Sequence, residues 1–285
     1  MNMEAWSFDH LNGKTCVITG GGGVIGSSLA LSLSQAGIKT ALLDLNEELA
    51  IDKAKAIQDK TGTMSVGVKA NVLDRSSLED ARNKIHDTIG TIDFLINGAG
   101  GNSPKATTGA EMLTEDLKQD LGQTFYGLDM AGFEFVFNLN FMGTVLPSML
   151  LSRDMLDKGN GVILNVSSMS AYRPLTKIPA YSAAKASINS LTEWMAVHLA
   201  TAGIRVNAIA PGFFLTEQNR FLLTDEKTGG LTERGEKIIS NTPVGRFGEV
   251  EEIHGTVLYL LSDLSKFVTG VVIPIDGGFN AFSGV

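Results

Sequence analysis

The sequence contains few of the residues that build metal centres, disulfide frameworks or nucleic-acid-binding surfaces. Cys16 is the only cysteine among 285 residues, and four scattered histidines occur, so we expect neither a disulfide framework nor a metal site. Lys and Arg number 23 against 31 Asp and Glu, and no Lys/Arg cluster stands out. We therefore expect no nucleic-acid partner and no attraction to anionic membranes.

The sequence also shows no long apolar run and no pattern that would predict a secretory signal. No uninterrupted apolar run reaches the roughly 18 residues of a membrane span, and residues 1–11 lack a basic-then-apolar signal pattern. Together with the single cysteine, these features predict a cytoplasmic protein with no membrane partner. Hydrophobic residues make up 44% of the chain, which is enough to bury a large core in one domain.

Short apolar segments alternate with segments of helical spacing, which builds βαβ units. We therefore predict an α/β fold, in which one Rossmann-type domain over residues 1–285 has a doubly wound parallel sheet of about seven strands flanked by helices. Two stretches, 101–131 and 213–241, break the alternation and are predicted to be substrate loops. The predicted strands are 14–19, 40–43, 64–68, 92–96, 162–166, 204–209 and 271–275. The predicted helices are 27–36, 47–60, 76–89, 133–156 with a kink at Pro147, 180–201 and 249–261, and 213–241 is predicted to contain short helices.

A glycine turn follows the first predicted strand and opens the first helix. Glycines 21, 23 and 26 fit G-x-G-x-x-G, whose backbone N–H groups can approach a pyrophosphate at the helix N-terminus. Asp44 closes the second strand, where a carboxylate can accept both ribose hydroxyls and would repel a 2′-phosphate. Because no Arg or Lys lies in the glycine turn, we predict NAD(H) rather than NADP(H).

Tyr181 and Lys185 are four residues apart on a predicted helix, so their side chains share one face. The ammonium favours the phenolate, and we expect the pKa of Tyr181 to fall from about 10 toward the working pH. A phenol with such a pKa can exchange a proton with a carbonyl or alcohol oxygen. The spacing is common, and its alternative interpretation is a packed Tyr beside a solvated Lys.

Further short motifs accompany this pair, and together they carry a resemblance that extends from about Leu11 to the end of the chain. They are Thr19-Gly20 with the glycine turn, Asn97-Gly98-Ala99-Gly100, Asn140, Ser168, Pro211-Gly212 and Asp276-Gly277-Gly278. Ser168 precedes Tyr181 by 13 residues. The combination resembles the short-chain dehydrogenase/reductase family. The chain departs from that family's usual motifs at Val24, Gly98 and Asn71, where Gly, Asn and Asp are usual.

The resemblance implies the roles of the central residues. Tyr181 is the general acid/base, Lys185 lowers its pKa and holds the nicotinamide ribose, and Ser168 hydrogen-bonds the substrate oxygen. Asn140 supports Lys185 and a relay water, and the family suggests a homotetramer. The expected cofactor-binding residues are Gly20, Gly22, Gly23, Val24, Ile25, Asp44, Asn71, Val72, Asn97, Ala99, Gly100, Tyr181, Lys185, Pro211 and Gly212.

The loops look like the branch of that family described as D-mannonate oxidoreductase (fructuronate reductase). This resemblance implies an enzyme that interconverts a secondary alcohol and a ketone on a sugar acid. A sugar acid needs hydroxyl partners and a local cation for its carboxylate, of which Arg173 is the first choice. The candidate substrate residues are Asn102, Lys105, Arg173, Gln218, Asn219 and Arg220.

Other functions remain open for the same motifs. The substrate could be another polyol, a keto-gluconate-type acid or a 3-oxoacyl thioester, although Asp44 argues against the thioester because such a substrate favours NADPH. A non-catalytic nucleotide-sensing protein on the same fold is a further alternative, since fold alone does not determine function. The intact set of Ser168, Tyr181 and Lys185 favours the enzyme, because a sensor does not need to keep it.

Overall fold

Seven parallel strands form one sheet in the order β3-β2-β1-β4-β5-β6-β7. The structure is a computed structural model that describes residues 7–216, 219–225 and 229–284. The strand order reverses direction between β1 and β4, as the predicted doubly wound sheet requires. The strands are β1 Thr15–Thr19, β2 Lys39–Asp44, β3 Ser65–Lys69, β4 Phe94–Asn97, β5 Gly161–Val166, β6 Ile204–Pro211 and β7 Val272–Ile275.

Helices cover both faces of this sheet, so the predicted single-domain α/β fold is confirmed. Most predicted helices lie within a few residues of the observed ones, although the first turns of 249–261 form a 3₁₀ helix, Val250–Ile253. The α-helices are α1 Val24–Gln35, α2 Glu47–Thr61, α3 Arg75–Thr88, α4 Met130–Phe137, α5 Gly143–Leu151, α6 Arg153–Lys158, α7 Pro179–Leu199, α8 Arg220–Leu223, α9 Glu233–Ser240 and α10 His254–Leu261.

The core has two layers because successive strand side chains point to opposite faces. In β1, Cys16 and Ile18 pack with Leu29 of α1 and Leu260 of α10. Val17, between them, packs on the other face with residues of α3, α5 and α7. Since both faces of the sheet are covered, the central strands β1, β4 and β5 are buried along their whole length.

The predicted helix 133–156 is broken into α4, α5 and α6, and the break does not lie at Pro147 as expected. A π-helical turn, Asn138–Met142, separates α4 from α5, whereas Pro147 is buried inside α5. Three hydroxyl side chains on this stretch donate to the carbonyl four residues earlier, beginning with Thr144 Oγ1 to Asn140 O at 2.9 Å. Such turns occur frequently at functional sites, and this one carries Asn140.

The segment Met130–Lys158 is long and apolar enough to cross a membrane by length and composition, with a mean hydropathy of 1.4. Polar residues interrupt the segment, so it contains no long continuous apolar run. In the fold, 44% of its most apolar window is buried, and α5 packs against β4 and α3. Its composition therefore reflects, at least in part, its place in the core.

The two irregular segments both leave the carboxyl end of the sheet. Segment 101–131 is closed on itself, since Asp129 N donates to Lys105 O at 3.2 Å and Ala110 N to Gln123 O at 3.0 Å. Segment 213–241 contains the short helices α8 and α9, which confirms the predicted short helices there. Gln218 lies outside the described residues.

Candidate active site

The glycine turn joins β1 to α1 at the carboxyl edge of the sheet. Gly20 has a φ of +66°, and a Cβ there would lie 2.9 Å from the backbone of Ala99, so only glycine fits. Gly23 is the N-cap of α1 and provides no side-chain cap hydrogen bond. The first N–H groups of α1, in the turn that includes Val24 and Ile25, therefore suit an anionic group such as a pyrophosphate.

Asp44 at the end of β2 faces this turn. Its Oδ2 accepts a hydrogen bond from Gly22 N at 3.1 Å, and its Oδ1 accepts one from Asn46 N at 3.0 Å. A Cβ on Gly22 would lie 2.9 Å from Asp44 Oδ2, so the carboxylate is held against the turn. The negative charge thus lies where an adenosine ribose would bind and where a 2′-phosphate would be repelled.

Asn71 and Val72 follow β3 near the same edge. Asn71 is exposed, and its Oδ1 accepts a hydrogen bond from Leu73 N at 3.0 Å. Val72 is buried, and a Cβ on Gly143 would lie 2.9 Å from its Cγ2. Asn71 therefore shapes a turn, while Val72 packs against the start of α5.

The side chain of Asn97 lies in the core of the protein. It is only 2% exposed, and its Nδ2 donates to Ser148 Oγ at 2.9 Å and to Asn165 Oδ1 at 2.8 Å. The side chain is therefore engaged in the core, and the prediction that Asn97 borders the cofactor stays a prediction. Asn97 is the last residue of β4, and its side chain links α5 to β5 inside the core.

The loop after β4 turns past Thr19 and reaches the catalytic candidates. Thr19 Oγ1 accepts hydrogen bonds from the N–H groups of Gly98 and Ala99, both at 3.1 Å. A Cβ on Gly100 would lie 2.5 Å from Asn140 Oδ1 and 3.3 Å from Lys185 Nζ. The close approach of this loop to Asn140 and Lys185 explains why glycine is needed at position 100.

Ser168, Tyr181 and Lys185 meet beyond the end of β5. Lys185 is 4% exposed, and its Nζ donates to Val166 O at 2.8 Å and lies 5.6 Å from the Tyr181 ring centroid. Ser168 is 9% exposed, and its Oγ accepts hydrogen bonds from the N–H and hydroxyl of Ser170 at 3.2 and 3.0 Å. These contacts fix both groups beside the half-buried phenol.

The predicted direction of the Tyr181 pKa is wrong for this arrangement. Burial raises the pKa of Tyr181 above its ordinary value, and a hydrogen bond with Ser168 opposes that rise only in part. Burial also lowers the pKa of Lys185 to about 8, because a buried ammonium loses its hydration. Since Lys185 Nζ is bonded to Val166 O rather than to the phenol, desolvation outweighs the attraction expected from the helical spacing.

Asn140 lies in the π-helical turn and has its side chain fully engaged. Its Nδ2 donates to Gly101 O at 2.7 Å and to Val136 O at 2.8 Å, and its Oδ1 accepts from Gly101 N at 3.2 Å. Asn140 therefore holds the loop after β4 beside Lys185. This contact agrees with a supporting role rather than with direct action on a substrate.

Pro211 and Gly212 end β6 at the same edge. Gly212 N donates to Ile275 O at 2.9 Å, and a Cβ on Gly212 would lie 2.6 Å from the Cα of Asp276. The motif therefore needs glycine because the backbone after β7 crosses close to it. This places the predicted Pro211-Gly212 and Asp276-Gly277-Gly278 motifs side by side.

The candidate substrate residues are less closely grouped. Asn102 Nδ2 donates to Thr107 Oγ1 at 2.9 Å, and Lys105 Nζ lies 3.9 Å from Asp129 Oδ2. Asn219 is committed to its own turn, because its Nδ2 donates to Phe214 O and its Oδ1 accepts from Thr216 N, both at 2.8 Å. Arg220 begins α8, and Arg173 is exposed on the loop that follows Ser168.

Lys177 is a feature that the sequence did not mark. Among the described residues it is the one non-glycine residue with a positive φ, at 72°, and it lies on the loop between Ser168 and Tyr181. Its carbonyl accepts a hydrogen bond from Thr108 N at 2.9 Å. Backbone strain of this kind concentrates at functional sites, but no local sequence pattern indicates it.

A cavity of about 680 Å³ lies elsewhere, at the amino ends of the strands. Lys14, Asp93, Arg205 and Phe267 are among the residues that line it. Arg205 is occupied there, since its guanidinium donates to the carbonyls of Leu260, Ser262 and Val268. In open α/β sheets ligands bind at the carboxyl edge, and we therefore assign the active site to the edge that carries Tyr181.

Comparison with known proteins shows which families and structures the chain is similar to. Residues 22–280 match the family model described as enoyl-(acyl carrier protein) reductase. A crystal structure from Haemophilus influenzae, described as a candidate D-mannonate oxidoreductase with bound NAD, is 51% identical, with a TM-score of 0.91 over 96% of this chain and 98% of that one. An uncharacterized oxidoreductase, UxuB of Bacillus subtilis, is 50% identical over 97% of this chain and 98% of its own length. The NAD⁺-bound structure of a xylitol dehydrogenase is 31% identical, with a TM-score of 0.79 over 94% of this chain and 99% of that one.

The parallel sheet, the glycine turn with Asp44 and the Ser168–Tyr181–Lys185 group define a nucleotide-dependent oxidoreductase. The chain belongs to the short-chain dehydrogenase/reductase family, and it is an NAD-dependent oxidoreductase of that family. The predicted family, enzyme class and NAD(H) cofactor are thereby confirmed.

Proposed function

We propose that the enzyme interconverts D-mannonate and D-fructuronate with NAD(H), oxidising one secondary alcohol of the sugar acid. The observation that carries the oxidoreductase part is the convergence of Ser168, Tyr181 and Lys185 beside the loop after β4. The substrate part is supported by the similarity to the Haemophilus influenzae structure and by cations on loops at this edge in a chain of net charge -8.

In the oxidation direction, Tyr181 takes the proton of the substrate hydroxyl group. The substrate carbon that bears this hydroxyl loses a hydride. Bound NAD supplies the hydride acceptor at nicotinamide C4. Ser168 donates a hydrogen bond to the same substrate oxygen and stabilises the charge that develops there. Lys185 would hold the nicotinamide ribose, and Asn140 holds Gly101, which keeps the loop beside Lys185 in place.

The glycine turn and Asp44 fit the rest of the cofactor. The open N-terminus of α1 would receive the pyrophosphate, and Asp44 would accept the hydroxyls of the adenosine ribose. The Asp44 carboxylate is already positioned by Gly22 N and Asn46 N. Each carboxylate oxygen keeps a further lone pair for a ribose hydroxyl.

Arg173 is the residue that we propose for the substrate carboxylate. It is exposed and follows Ser168 on the loop that leads to Tyr181, so a guanidinium there can reach a substrate held by both. A planar guanidinium binds a carboxylate through two parallel hydrogen bonds, which an ammonium cannot do. We expect Arg173→Lys to raise the KM for a sugar acid about tenfold and to leave the KM for NAD unchanged.

A panel of substrates tests the proposal. D-mannonate, other sugar acids and the matching neutral polyols are assayed with NAD, and D-fructuronate with NADH. We expect D-mannonate and D-fructuronate to give the highest kcat/KM. The second candidate substrate is a neutral polyol such as xylitol, because one relative is described as a xylitol dehydrogenase. A higher kcat/KM for such a polyol would rule out the sugar acid as the substrate and leave the oxidoreductase assignment intact.

We also propose a homotetramer in the cytoplasm. Large apolar side chains lie exposed on the outer faces of α4, α5 and α7, including Trp194 at 61% and Val197 at 81% exposure. Helix faces of this kind suit burial against a second copy of the chain. The proposed number of four subunits comes from the resemblance to the family.

A further inference from the structure

Two irregular segments meet across the end of β5. Segment 101–131 leaves the sheet after β4, the segment that carries α9 leaves after β6, and β5 lies between those two strands. Lys237 of α9 donates a hydrogen bond to Oε2 of Glu111 in segment 101–131. We call segment 101–131 and α9, joined by this contact, the arch. It spans the end of β5, the strand that Ser168 follows.

The loop between Ser168 and Tyr181 is tied to the same arch. Thr108 N donates to Lys177 O at 2.9 Å, so segment 101–131 and this loop run side by side. The hydrogen bond from Lys237 holds the pKa of Glu111 below its ordinary value, and the charges of Lys177 and Arg234 act in the same direction. Glu111 is therefore ionised and faces cations from two other segments.

The other end of segment 101–131 contacts the catalytic candidates directly. Ala106 is fully buried and packs with Ala180 and Tyr181. Gly101 is bonded in both directions to the side chain of Asn140. Segment 101–131 is thus fixed near Gly101 and Ala106 and bonded to α9 through Glu111. It can therefore hold α9 at a defined position relative to Tyr181.

We propose that Glu111 is a positioning residue that clasps α9 and the 173–179 loop over the Ser168–Tyr181 site, so that a carboxylate-bearing substrate binds beneath the arch. Lys177, Arg234 and Lys237 are the cations that face Glu111 in this contact. The inference rests on the proposed function, because it assigns the space under the arch to the sugar acid.

Glu111→Gln removes the charge and keeps the shape, and Glu115→Gln is its matched control. Glu115 lies in the same segment, but its partner is Lys118 three residues away, at 2.7 Å, so its loss breaks no contact between segments. For Glu111→Gln we expect faster hydrogen exchange of the amides in 233–240 and a KM for D-mannonate raised about two- to fivefold. The KM for NAD and the exchange rates of β1 amides should not change, and Glu115→Gln should behave as wild type.

A double-mutant cycle with Lys237→Met separates a clasp from independent surface charges. If the pair acts as one contact, the double variant exchanges the amides of 233–240 no faster than either single variant. If the two effects multiply, the residues act independently and the clasp is overturned.

The exchange readout needs no substrate, so it separates this inference from the proposed function. Unchanged exchange of 233–240 in Glu111→Gln overturns the clasp whatever the enzyme oxidises. Faster exchange together with no turnover of any sugar acid supports the clasp and discards the sugar acid as the substrate beneath it.

Discussion

Asp44 carries the choice between the two nicotinamide cofactors. Its carboxylate is held against the glycine turn by hydrogen bonds to Gly22 N and Asn46 N. Asp44→Asn keeps an acceptor for both backbone donors and removes the charge that repels a 2′-phosphate. We expect the KM for NAD to rise about tenfold, because a charged hydrogen bond to the ribose is weakened, and NADP turnover to increase.

Steady-state kinetics with NAD and NADP measure this effect. Asp52→Asn is the control, since it removes the same charge from an exposed position on α2. An Asp44→Asn enzyme with the cofactor preference of the wild type would show that another group makes the choice.

The half-buried phenol of Tyr181 predicts opposite pH responses for oxidation and reduction. Its pKa is raised by burial, so at neutral pH the phenol is protonated and ready to act as an acid. Ketone reduction should therefore be independent of pH up to the phenol pKa. Oxidation needs the phenolate and should rise by up to about tenfold per pH unit in that range. Profiles of kcat/KM in both directions check this, and an oxidation rate that is flat between pH 6 and 9 would contradict it.

At the residue scale, the sequence located the chemistry better than the side-chain environments. Ser168, Tyr181 and Asp44 could be placed because each follows a strand or lies on a helix at a fixed spacing. The burial of the Asn97 side chain could not be predicted, because its hydrogen-bond partners Ser148 and Asn165 come from two other elements. Desolvation of Tyr181 likewise depends on the loop that packs over it.

Asp154 ties helix α6 to helix α3 and to the start of β4. Burial opposes its charge, but hydrogen bonds from Ile92 N, Arg82 and His86 outweigh that effect and hold the pKa of Asp154 below its ordinary value. We expect Asp154→Asn to lower the free energy of unfolding at pH 7 by about 2–3 kcal/mol, since Arg82 is only partly exposed and loses its anion.

Urea unfolding at several pH values measures the Asp154 effect. Because folding lowers its pKa, the Asp154 carboxylate stabilises the fold at pH values above its unfolded-state pKa of about 3.9. This stabilisation is lost as the pH falls through the lower folded-state pKa. The difference between Asp154→Asn and wild type should therefore shrink below about pH 4. Asp157→Asn, at an exposed position on the same helix, should leave stability unchanged. Equal losses in both variants would refute the assigned contacts.

At the element scale, periodicity predicted the strands and most helices because both signals are local. The break at Asn138–Met142 was missed, since a π-helical turn depends on what the helix packs against rather than on its composition. The expected kink at Pro147 did not occur there, because the neighbouring helical turns continue without its N–H.

The outer faces of α5 and α7 predict the assembly of the whole molecule. Val197 and Trp194 are exposed on α7, and Met149 is exposed on α5. Replacing Val197 by Asp would bury a charge in the proposed interface, so light scattering should show a mass below that of the wild-type protein. Lys60→Asp, on the polar helix α2, should leave the mass unchanged. A wild-type mass for Val197→Asp would place the interface elsewhere.

The central claim is that Tyr181 transfers the proton in an NAD-dependent oxidation. The most direct test is the turnover of D-mannonate by Tyr181→Phe, measured together with NADH binding by fluorescence. We predict that kcat falls about 10²- to 10⁴-fold while the Kd for NADH stays within about twofold of wild type, because the phenol oxygen is lost and the ring is kept. Near-wild-type turnover by Tyr181→Phe would contradict the account.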